Sequence, residues 1–333
     1  MKKRMMCCIL ALCLLLFGLA GCSADRGQTE EFWGMGTSVS VTLYGKEQAI
    51  KNGFALAKAA VSELDRLWSL TISDSDISRL NASADGISDA DARTVALIQQ
   101  AKEISALTDG SFDITLAPLS ALWQRCGEED RLPTQEEIAA RLAKVGTAAL
   151  TADGTSIGKP RGTEVDLGAI AKGAAVDALR DRLKALDGLD GGLISMDSCV
   201  TVFGAKPNGK PFRVSVRDPH NRSDIAGTLT LEDGQVLSVS GDYERFVTIG
   251  GKQYHHILDP ATGYPSDSGL SSVAVISRDG ATADALSTAF MVMGENAART
   301  LYDSGNLPFA SEAVFFRSDG SVSVTESIGF QER

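Results

Sequence analysis

The order of helical and strand-like segments constrains the fold of this chain most. Apolar residues recur at helical spacing mainly in the first half, whereas short alternating runs divided by Gly, Pro and Asp turns dominate the second half. Helices are predicted over 47–67, 90–107, 135–145, 170–186 and 281–293, and strands over 39–44, 193–203, 212–217, 227–231, 235–239, 245–249 and 272–277. Early helices and late hairpins predict an α+β domain with antiparallel sheets and segregated helices, rather than a parallel doubly wound sheet.

The start of the chain has the three parts of an export signal. A basic stretch, Lys2–Arg4, precedes an apolar run, Met5–Phe17, that is shorter than the roughly 20 residues of a spanning helix. Ala20 and Gly21 then precede Cys22, as in the bacterial lipobox, where the cysteine is acylated and the bond before it is cut. An ordinary secretory signal with a chance cysteine is the alternative.

This signal predicts how the chain is divided. We expect a lipoprotein signal peptide over 1–21, a lipidated Cys22 that opens a polar tether over 22–31, and one large domain over 32–333. Two lipid signals on a protein are enough to anchor it stably to a membrane. The protein is therefore expected outside the cytoplasm, lipid-anchored to the cell membrane.

Charge and cysteine content exclude several classes of partner and site. A formal net charge of -11 argues against nucleic acid or an anionic membrane face as the main partner, because both attract basic surfaces. Beyond Cys22 only Cys126 and Cys199 remain, so one disulfide is possible but not demanded. With 3 histidines and no clustered cysteines, a structural zinc site is disfavoured, whereas a hard cation held by oxygens stays open.

The segment Asp166–Gly173 is the first candidate binding site. Gly168 and Ala169 keep side chains small where a helix is predicted to begin, and free N–H groups at the positive end of a helix attract anions. Lys172 adds a full positive charge. These features favour a phosphate site; the alternative is an amphipathic helix with Asp166 as its N-cap.

A second candidate lies on the predicted helix 281–293. Asp284 and Thr288 are four residues apart on one face, and Ser287 is three residues from Asp284, so three oxygen-bearing side chains can converge. Such a set suits Mg²⁺, which prefers a carboxylate, neutral oxygens, waters and substrate phosphate. The alternative is a first-turn aspartate favoured by the helix dipole, beside solvated hydroxyls.

A turn-rich segment, 254–265, contains adjacent histidines where a predicted strand ends. His256 has the chemistry of a general base for a hydroxyl nucleophile, because the ordinary histidine pKa lies near working pH. The alternative for His255 or His256 is a solvated or hydrogen-bonded side chain without a catalytic role.

Three further segments have the composition of pocket walls. Met35 precedes a Gly turn, Ser111–Asp113 follows the Asp109–Gly110 turn, and Tyr243 places an aromatic ring after Gly241. Ordinary turn chemistry is the alternative for each.

Seven segments, taken together and in order, resemble the ApbE family, the FAD:protein FMN transferases. They are 35–37, 75–81, 108–115, 166–173, 240–243, 256–260 and 283–288, and the resemblance extends from about residue 32 to residue 294. It implies a single large domain, related to the T-fold, with antiparallel sheets and segregated helices.

The resemblance also implies a reaction. A Ser or Thr hydroxyl of an acceptor flavoprotein attacks the FMN phosphorus of FAD, which releases AMP and leaves FMN in a phosphoester; Mg²⁺ is the required metal. The implied acceptors are membrane flavoprotein subunits of redox-driven pumps and flavin-carrying electron-transfer domains. Alternatives are an FAD pyrophosphatase, a non-catalytic flavin-binding lipoprotein, and a chain that is itself flavinylated near 280–282, where the acceptor motif is incomplete.

Site residues follow from the resemblance position by position. It implies Mg²⁺ ligands in Asp284, Thr288 and the carbonyl of Ala169, and His256 as the candidate base. The flavin nucleotide is expected to contact Met35, Ser111, Phe112, Asp113, Asp166, Lys172, Tyr243, His256 and Ile257.

Two positions depart from the family pattern. Thr71 stands where the family commonly has an aromatic residue, which removes one expected flavin contact. Asp197-Ser198-Cys199 replaces the usual Gly-Gly-Asn after a strand, so we expect a bulkier, acidic turn that narrows the pocket or alters affinity.

Overall fold

The computed structural model describes residues 27–325 and 328–333. The predicted signal peptide and Cys22 lie outside this range. Within it, none of the helices combines the length and the apolar character needed to cross a membrane. The predicted tether ends earlier than expected, because the first strand begins at Gln28 rather than after Glu31.

One large antiparallel sheet forms the centre of the fold. Eight strands lie in the order β1-β2-β6-β7-β10-β13-β14-β15, and every neighbouring pair is antiparallel. Their bounds are β1 Gln28–Gly34, β2 Thr37–Gly45, β6 Leu189–Met196, β7 Cys199–Gly204, β10 Val236–Gly241, β13 Leu270–Ser277, β14 Glu312–Arg317 and β15 Val322–Val324. The antiparallel sheet predicted from the late hairpins is confirmed.

Helices cover one face of this sheet. The helices of the described chain are α1 Glu47–Trp68, α2 Asp76–Ala82, α3 Ala92–Leu107, α4 Ala117–Glu128, α5 Gln135–Leu142, α6 Ala171–Lys184 and α7 Gly280–Asp303. The main apolar core lies between α1, α3, α6, α7 and the sheet. Segregation of helices to one face is therefore confirmed, as the α+β prediction requires.

The opposite face carries a second, smaller sheet. It consists of β8 Phe212–Arg217, β9 Ile225–Leu231 and β16 Gln331–Glu332, in the order β16-β9-β8. Side chains of β13 alternate between the two cores: Val273 and Val275 join the helical side, whereas Ala274 and Ile276 join the side of the small sheet. Strand β13 is thus buried on both faces, which explains its uninterrupted apolar run Val273–Ile276.

A third apolar cluster joins α4 and α5 to a hairpin. The hairpin consists of β11 Phe246–Ile249 and β12 Lys252–His255, and its Ile249 packs with Leu119, Trp123 and Ile138 of the helices. A separate small sheet, β3-β5-β4, comprises β3 Gly86–Ile87, β4 Thr151–Asp153 and β5 Ser156–Gly158.

Several predicted boundaries were wrong for identifiable reasons. The single strand predicted over 193–203 is the hairpin β6–β7, because Asp197 adopts a left-handed conformation, with φ 54°, and turns the chain. The helix predicted to end at Met293 continues to Asp303 beyond a kink at Gly294, where φ is 78°. Strand β1 and helices α2 and α4 were not predicted.

The two remaining cysteines do not pair. Cys126 and Cys199 are both buried free thiols. They lie in different apolar clusters, so the optional disulfide is not formed.

Candidate active site

A cavity of about 840 Å³ opens where the helical layer meets the β11–β12 hairpin. Its size is in the range of ligand pockets. The wall on one side comes from the segment before α6, from α6 itself and from α7; the facing wall comes from α4, the hairpin and the residues after β12. Most of the predicted site residues line it: Ser111, Asp113, Asp166, Ala169, Lys172, His256, Ile257, Asp284 and Thr288.

Asp284 is the most enclosed acid of this cavity. Its side chain belongs to α7, and the residue is 3% exposed. One carboxylate oxygen accepts a hydrogen bond from the Ser238 hydroxyl at 3.0 Å, and the other accepts one from the Gly173 N–H at 3.1 Å. Because Gly173 lies in the first turn of α6, the positive end of that helix also faces the carboxylate.

Two glycines allow this approach of α6 to α7. A Cβ atom on Gly173 would lie 1.9 Å from the carbonyl oxygen of Gly280, and a Cβ on Gly280 would lie 2.3 Å from the carbonyl oxygen of Gly173. Asp177 of α6 also accepts a 2.5 Å hydrogen bond from the Gly280 N–H, which fixes the start of α7. The backbone contact therefore sets the position of Asp284.

Hydroxyl groups continue from Asp284 along α7. Ser287 donates to the Asp284 carbonyl at 2.9 Å, and the Ser240 hydroxyl lies 2.8 Å from that of Ser287 and 3.2 Å from that of Thr288. The predicted convergence of oxygens on one helical face is observed, with Ser240 of β10 as an additional member that the sequence did not indicate.

The donor set fits a magnesium ion. Asp284 supplies a carboxylate and Thr288 a hydroxyl, and within the described chain the carbonyl oxygen of Ala169 accepts no hydrogen bond. Among the described residues there is no group of three or more His, Cys, Asp or Glu side chains that could hold a metal. A single carboxylate with neutral oxygens suits Mg²⁺, which keeps several waters and uses substrate phosphate as a ligand.

Lys172 provides positive charge beside this oxygen set. Its ammonium group donates to the carbonyl of Gly168 at 3.1 Å, and its side chain lines the cavity. The negative charge of Asp284 raises the pKa of Lys172 above its ordinary value. Lys172 is therefore fully charged at neutral pH and available to an anion in the cavity.

Two of the sequence motifs hold the segment before α6 in place. The Asn81 amide donates to the Val165 carbonyl at 2.8 Å and accepts from the Val165 N–H at 2.7 Å. The Asp166 N–H then donates to the carbonyl of Ile114 at 2.8 Å. Asn81 and Ile114 thus act on the site through the backbone rather than by direct contact with the cavity.

Asp166 does not cap the helix, contrary to the alternative considered from sequence. Helix α6 begins at Ala171, and Ile170 occupies the N-cap position. The Asp166 carboxylate instead accepts from the N–H of Gly168 at 2.8 Å and lines the cavity. Its side chain shapes the turn that exposes the Ala169 carbonyl.

His256 lies on the facing wall, directly after β12. Its Nδ1 donates to the carbonyl of Arg245 at 3.0 Å, so in the neutral ring Nε2 carries the free lone pair. Partial desolvation by the surrounding protein, followed by the charge of Arg245, lowers the pKa of His256 to about 4, although the residue keeps a solvent-exposed part. The ring is therefore neutral at pH 7 and able to accept a proton at Nε2.

Three predicted site residues are not brought to the cavity wall. Phe112 is 1% exposed within the main core, because its side chain points inward from the turn that Ser111 and Asp113 use to reach the cavity. Met35 packs against the main core, with its N–H 3.3 Å from Asp65. The Tyr243 ring covers Gly241 and lies 5.5 Å from the guanidinium of Arg222. Their contacts with the flavin nucleotide therefore stay predictions.

Asp113 lines the cavity and also stabilises the local backbone through hydrogen bonds. One of its oxygens accepts from the N–H of Thr115 at 2.6 Å, and the other from the N–H of Thr147 at 2.8 Å. Ser111 and Ile257 also line the cavity.

Of the two departures from the family pattern, only the acidic turn contributes side chains to the cavity wall. Leu70, rather than its exposed neighbour Thr71, reaches the wall and is 46% exposed. Asp197 and Ser198 line the cavity, as expected for a bulkier acidic turn, whereas Cys199 is buried with its sulfur 3.2 Å from the Ser238 hydroxyl. Burial and then the charge of Asp197 raise the pKa of Glu244 on the facing wall.

Sequence reasoning missed several wall residues. Arg245 and Glu244 precede β11, and Trp123 and Tyr254 form an aromatic pair with ring centroids 5.3 Å apart. The only signal in the sequence was their position within or near turn-rich segments, which does not distinguish a wall residue from a solvated one.

Comparison with known proteins gives consistent matches over most of the chain. The sequence profile of the ApbE family matches residues 35–310. An FAD:protein FMN transferase of Vibrio cholerae serotype O1 is 30% identical over 312 residues, which are 90% of this chain and 91% of the relative. Another of Klebsiella pneumoniae strain 342 is 33% identical over 267 residues, covering 78% of this chain and 80% of the relative.

Solved structures are similar over nearly the same range. The ApbE protein of Thermotoga maritima superposes with a TM-score of 0.82 at 31% identity, covering 91% of this chain and 98% of that protein. The flavin transferase ApbE of Vibrio cholerae superposes with a TM-score of 0.79 at 27% identity, again covering 91% and 98%. The family match over residues 35–310 includes every residue that lines the cavity.

Proposed function

This chain belongs to the ApbE family, and on that premise we propose that it transfers FMN from FAD to a hydroxyl group of an acceptor flavoprotein. Its relatives carry the name FAD:protein FMN transferase. The observation that supports the proposal in this structure is that Asp284, Lys172 and His256 line one cavity. An oxygen set for a cation, a lysine for phosphate and a neutral imidazole are the parts that phosphoryl transfer to a hydroxyl needs.

We assign the proton transfer to His256. The acceptor oxygen forms a bond to the FMN phosphorus, and the bond from that phosphorus to the bridging oxygen breaks, so AMP leaves with the electron pair. The hydroxyl proton passes to Nε2 of His256, whose lone pair is kept free because Nδ1 donates to the Arg245 carbonyl. The product is a phosphoester between FMN and the acceptor side chain.

The opposite wall binds and orients the pyrophosphate. Lys172 pairs with its negative charge, and Asp284, Thr288 and the Ala169 carbonyl would hold Mg²⁺. The ion, when bound, neutralises pyrophosphate charge and polarises the bond that breaks. Gly173 and Ser238 restrain the Asp284 carboxylate through its two oxygens. This carboxylate is therefore positioned to bind the metal before FAD arrives.

A purified-protein assay tests this function. The full-length protein in detergent would be incubated with FAD, Mg²⁺ and a flavin-acceptor domain. We expect the acceptor to gain the mass of one FMN phosphoester with release of AMP. AMP release without labelling would instead indicate an FAD pyrophosphatase, and FAD binding with neither product would indicate a carrier; both contradict the proposal.

We further propose that Cys22 anchors the enzyme to the outer side of the cell membrane. A lipobox-like Ala20-Gly21-Cys22 supports this, and a surface tether would keep the enzyme near membrane flavoproteins. The native protein should partition into membranes and yield an acylated N-terminal peptide by mass spectrometry, whereas Cys22→Ser should not. An unacylated, membrane-free native protein would contradict the proposal.

A further inference from the structure

Arg245 is a charged side chain of the cavity with no assigned role. It lies directly before β11, lines the cavity and is exposed. Many arginines elsewhere in the described chain are engaged by acids, for example Arg79 with Asp89 and Arg93 with Glu63. The guanidinium of Arg245, in contrast, has no salt bridge or hydrogen bond with any residue of the described ranges 27–325 and 328–333.

The backbone fixes Arg245 beside the proposed base. Phe246 pairs with His255 in the hairpin, so the next position places Arg245 opposite His256. Both the backbone N–H and Nδ1 of His256 donate to the Arg245 carbonyl, each at 3.0 Å. Directly opposite residues of an antiparallel pair project to the same face, so the guanidinium and the imidazole share one side of the hairpin.

Lys172 approaches the same region from the other wall. After desolvation by the surrounding protein, the charges of Arg245 and Lys172 are among the causes that lower the pKa of His256. Two positive charges and a neutral proton acceptor therefore line the same cavity. A lysine and an arginine on facing walls suit a ligand that carries more than one negative charge.

We propose that the Arg245 guanidinium binds the nonbridging oxygens of the FAD pyrophosphate during transfer. This inference rests on the proposed function and extends it to a residue outside the predicted site. In the step, the acceptor oxygen–phosphorus bond forms, the phosphorus–bridging oxygen bond breaks, AMP takes the electron pair and His256 takes the hydroxyl proton. Arg245 gains and loses no proton; its planar fork of donors matches two phosphate oxygens at once.

Binding experiments on Arg245 variants test the inference. FAD and riboflavin, which lacks phosphate, would each be titrated into the wild type, Arg245→Ala and Arg245→Lys. We expect Arg245→Ala to weaken FAD binding roughly 10-fold to 100-fold, the loss associated with charge-assisted hydrogen bonds. Riboflavin binding should change less than about twofold, and Arg245→Lys should recover part of the FAD affinity because it keeps the charge.

Arg222→Ala is a matched control. Arg222 lies over the Tyr243 ring outside the cavity wall, so its loss removes an equal charge from the neighbourhood without removing a phosphate contact. The inference is overturned if Arg245→Ala binds FAD within twofold of Arg222→Ala, or if it weakens FAD and riboflavin equally. Failure of the wild type to label an acceptor would count against the proposed function alone, since FAD affinity is measured without transfer.

Discussion

The α6–α7 wall of the cavity is buried and interlocked, whereas the hairpin wall facing it is open to solvent. Asp284 is 3% exposed and held by two hydrogen bonds, and its helix meets α6 at a glycine–glycine contact. Across the cavity, Phe246 is 42% exposed, and His256 is held mainly through the carbonyl of Arg245. The difference suggests a division of labour: one wall fixes the cation and phosphate, and the other leaves room for an acceptor to approach the base.

The largest expected effect comes from adding a side chain at the close contact between Gly173 and Gly280. Gly173→Ala would place a methyl group against the carbonyl of Gly280, and backbone atoms cannot rotate away. We expect the free energy of unfolding to fall by about 3 kcal/mol or more, near the upper range for overpacking, and transfer to be lost. Chemical denaturation and the acceptor-labelling assay measure both effects.

Gly53→Ala is the control for this substitution. Its new methyl group would approach only side-chain carbons of Leu43, Leu183 and Leu189, which can adjust, while Ala favours the helix over Gly. Stability should change by less than about 1 kcal/mol. Equal losses of unfolding free energy in Gly173→Ala and Gly53→Ala would contradict the special role of the α6–α7 contact.

On the open wall, removing the base should affect turnover rather than stability. His256→Asn keeps a polar side chain of similar reach but cannot accept the proton, so kcat should fall roughly 100-fold to 10,000-fold. The melting temperature and FAD affinity should stay close to those of the wild type. A variant that labels the acceptor at the native rate would remove His256 from the mechanism.

The pH profile sharpens the same comparison. Because surrounding protein and the charges of Arg245, His255 and Lys172 lower the pKa of His256 to about 4, the free enzyme keeps a neutral base well below pH 6.5. As pH falls, kcat/KM should therefore decline near pH 4 rather than near the ordinary histidine value. A decline centred near pH 6.5 would show that the pKa of His256 in solution is not lowered.

The smallest expected effect concerns the acidic turn. Asp197→Gly removes a negative charge from the cavity and relieves a left-handed conformation that glycine adopts freely. FAD should bind a few-fold more tightly, and stability should rise by roughly 1 kcal/mol or less. Isothermal titration measures the first effect; weaker FAD binding would mean that Asp197 contributes a favourable contact.

The sequence predicted the interlocked wall better than the open one. Asp284, Ser287 and Thr288 occupy positions of one helix whose spacing determines which side chains share a face, so their convergence could be anticipated. The partners of Asp284 could not, because Gly173 lies 111 residues away in the chain and its approach depends on helix crossing. The antiparallel sheet was predictable from alternation, whereas its strand order was not.

The sequence was least informative about side-chain direction where motifs lie in turns. Phe112 and Asp113 are adjacent in one motif, yet the first points into the core and the second toward the cavity. A turn does not have the fixed period that assigns side chains to faces in helices and strands. Arg245 was missed for a related reason: its importance depends on the hairpin pairing opposite His256, which the sequence does not reveal.

FAD binding by Asp284→Asn and His256→Asn, each titrated with and without Mg²⁺, tests the division between the walls most directly. The account predicts that His256→Asn retains the Mg²⁺-dependent gain in FAD affinity of the wild type, whereas Asp284→Asn loses it. It is contradicted if Asp284→Asn keeps that gain, or if His256→Asn loses it as completely.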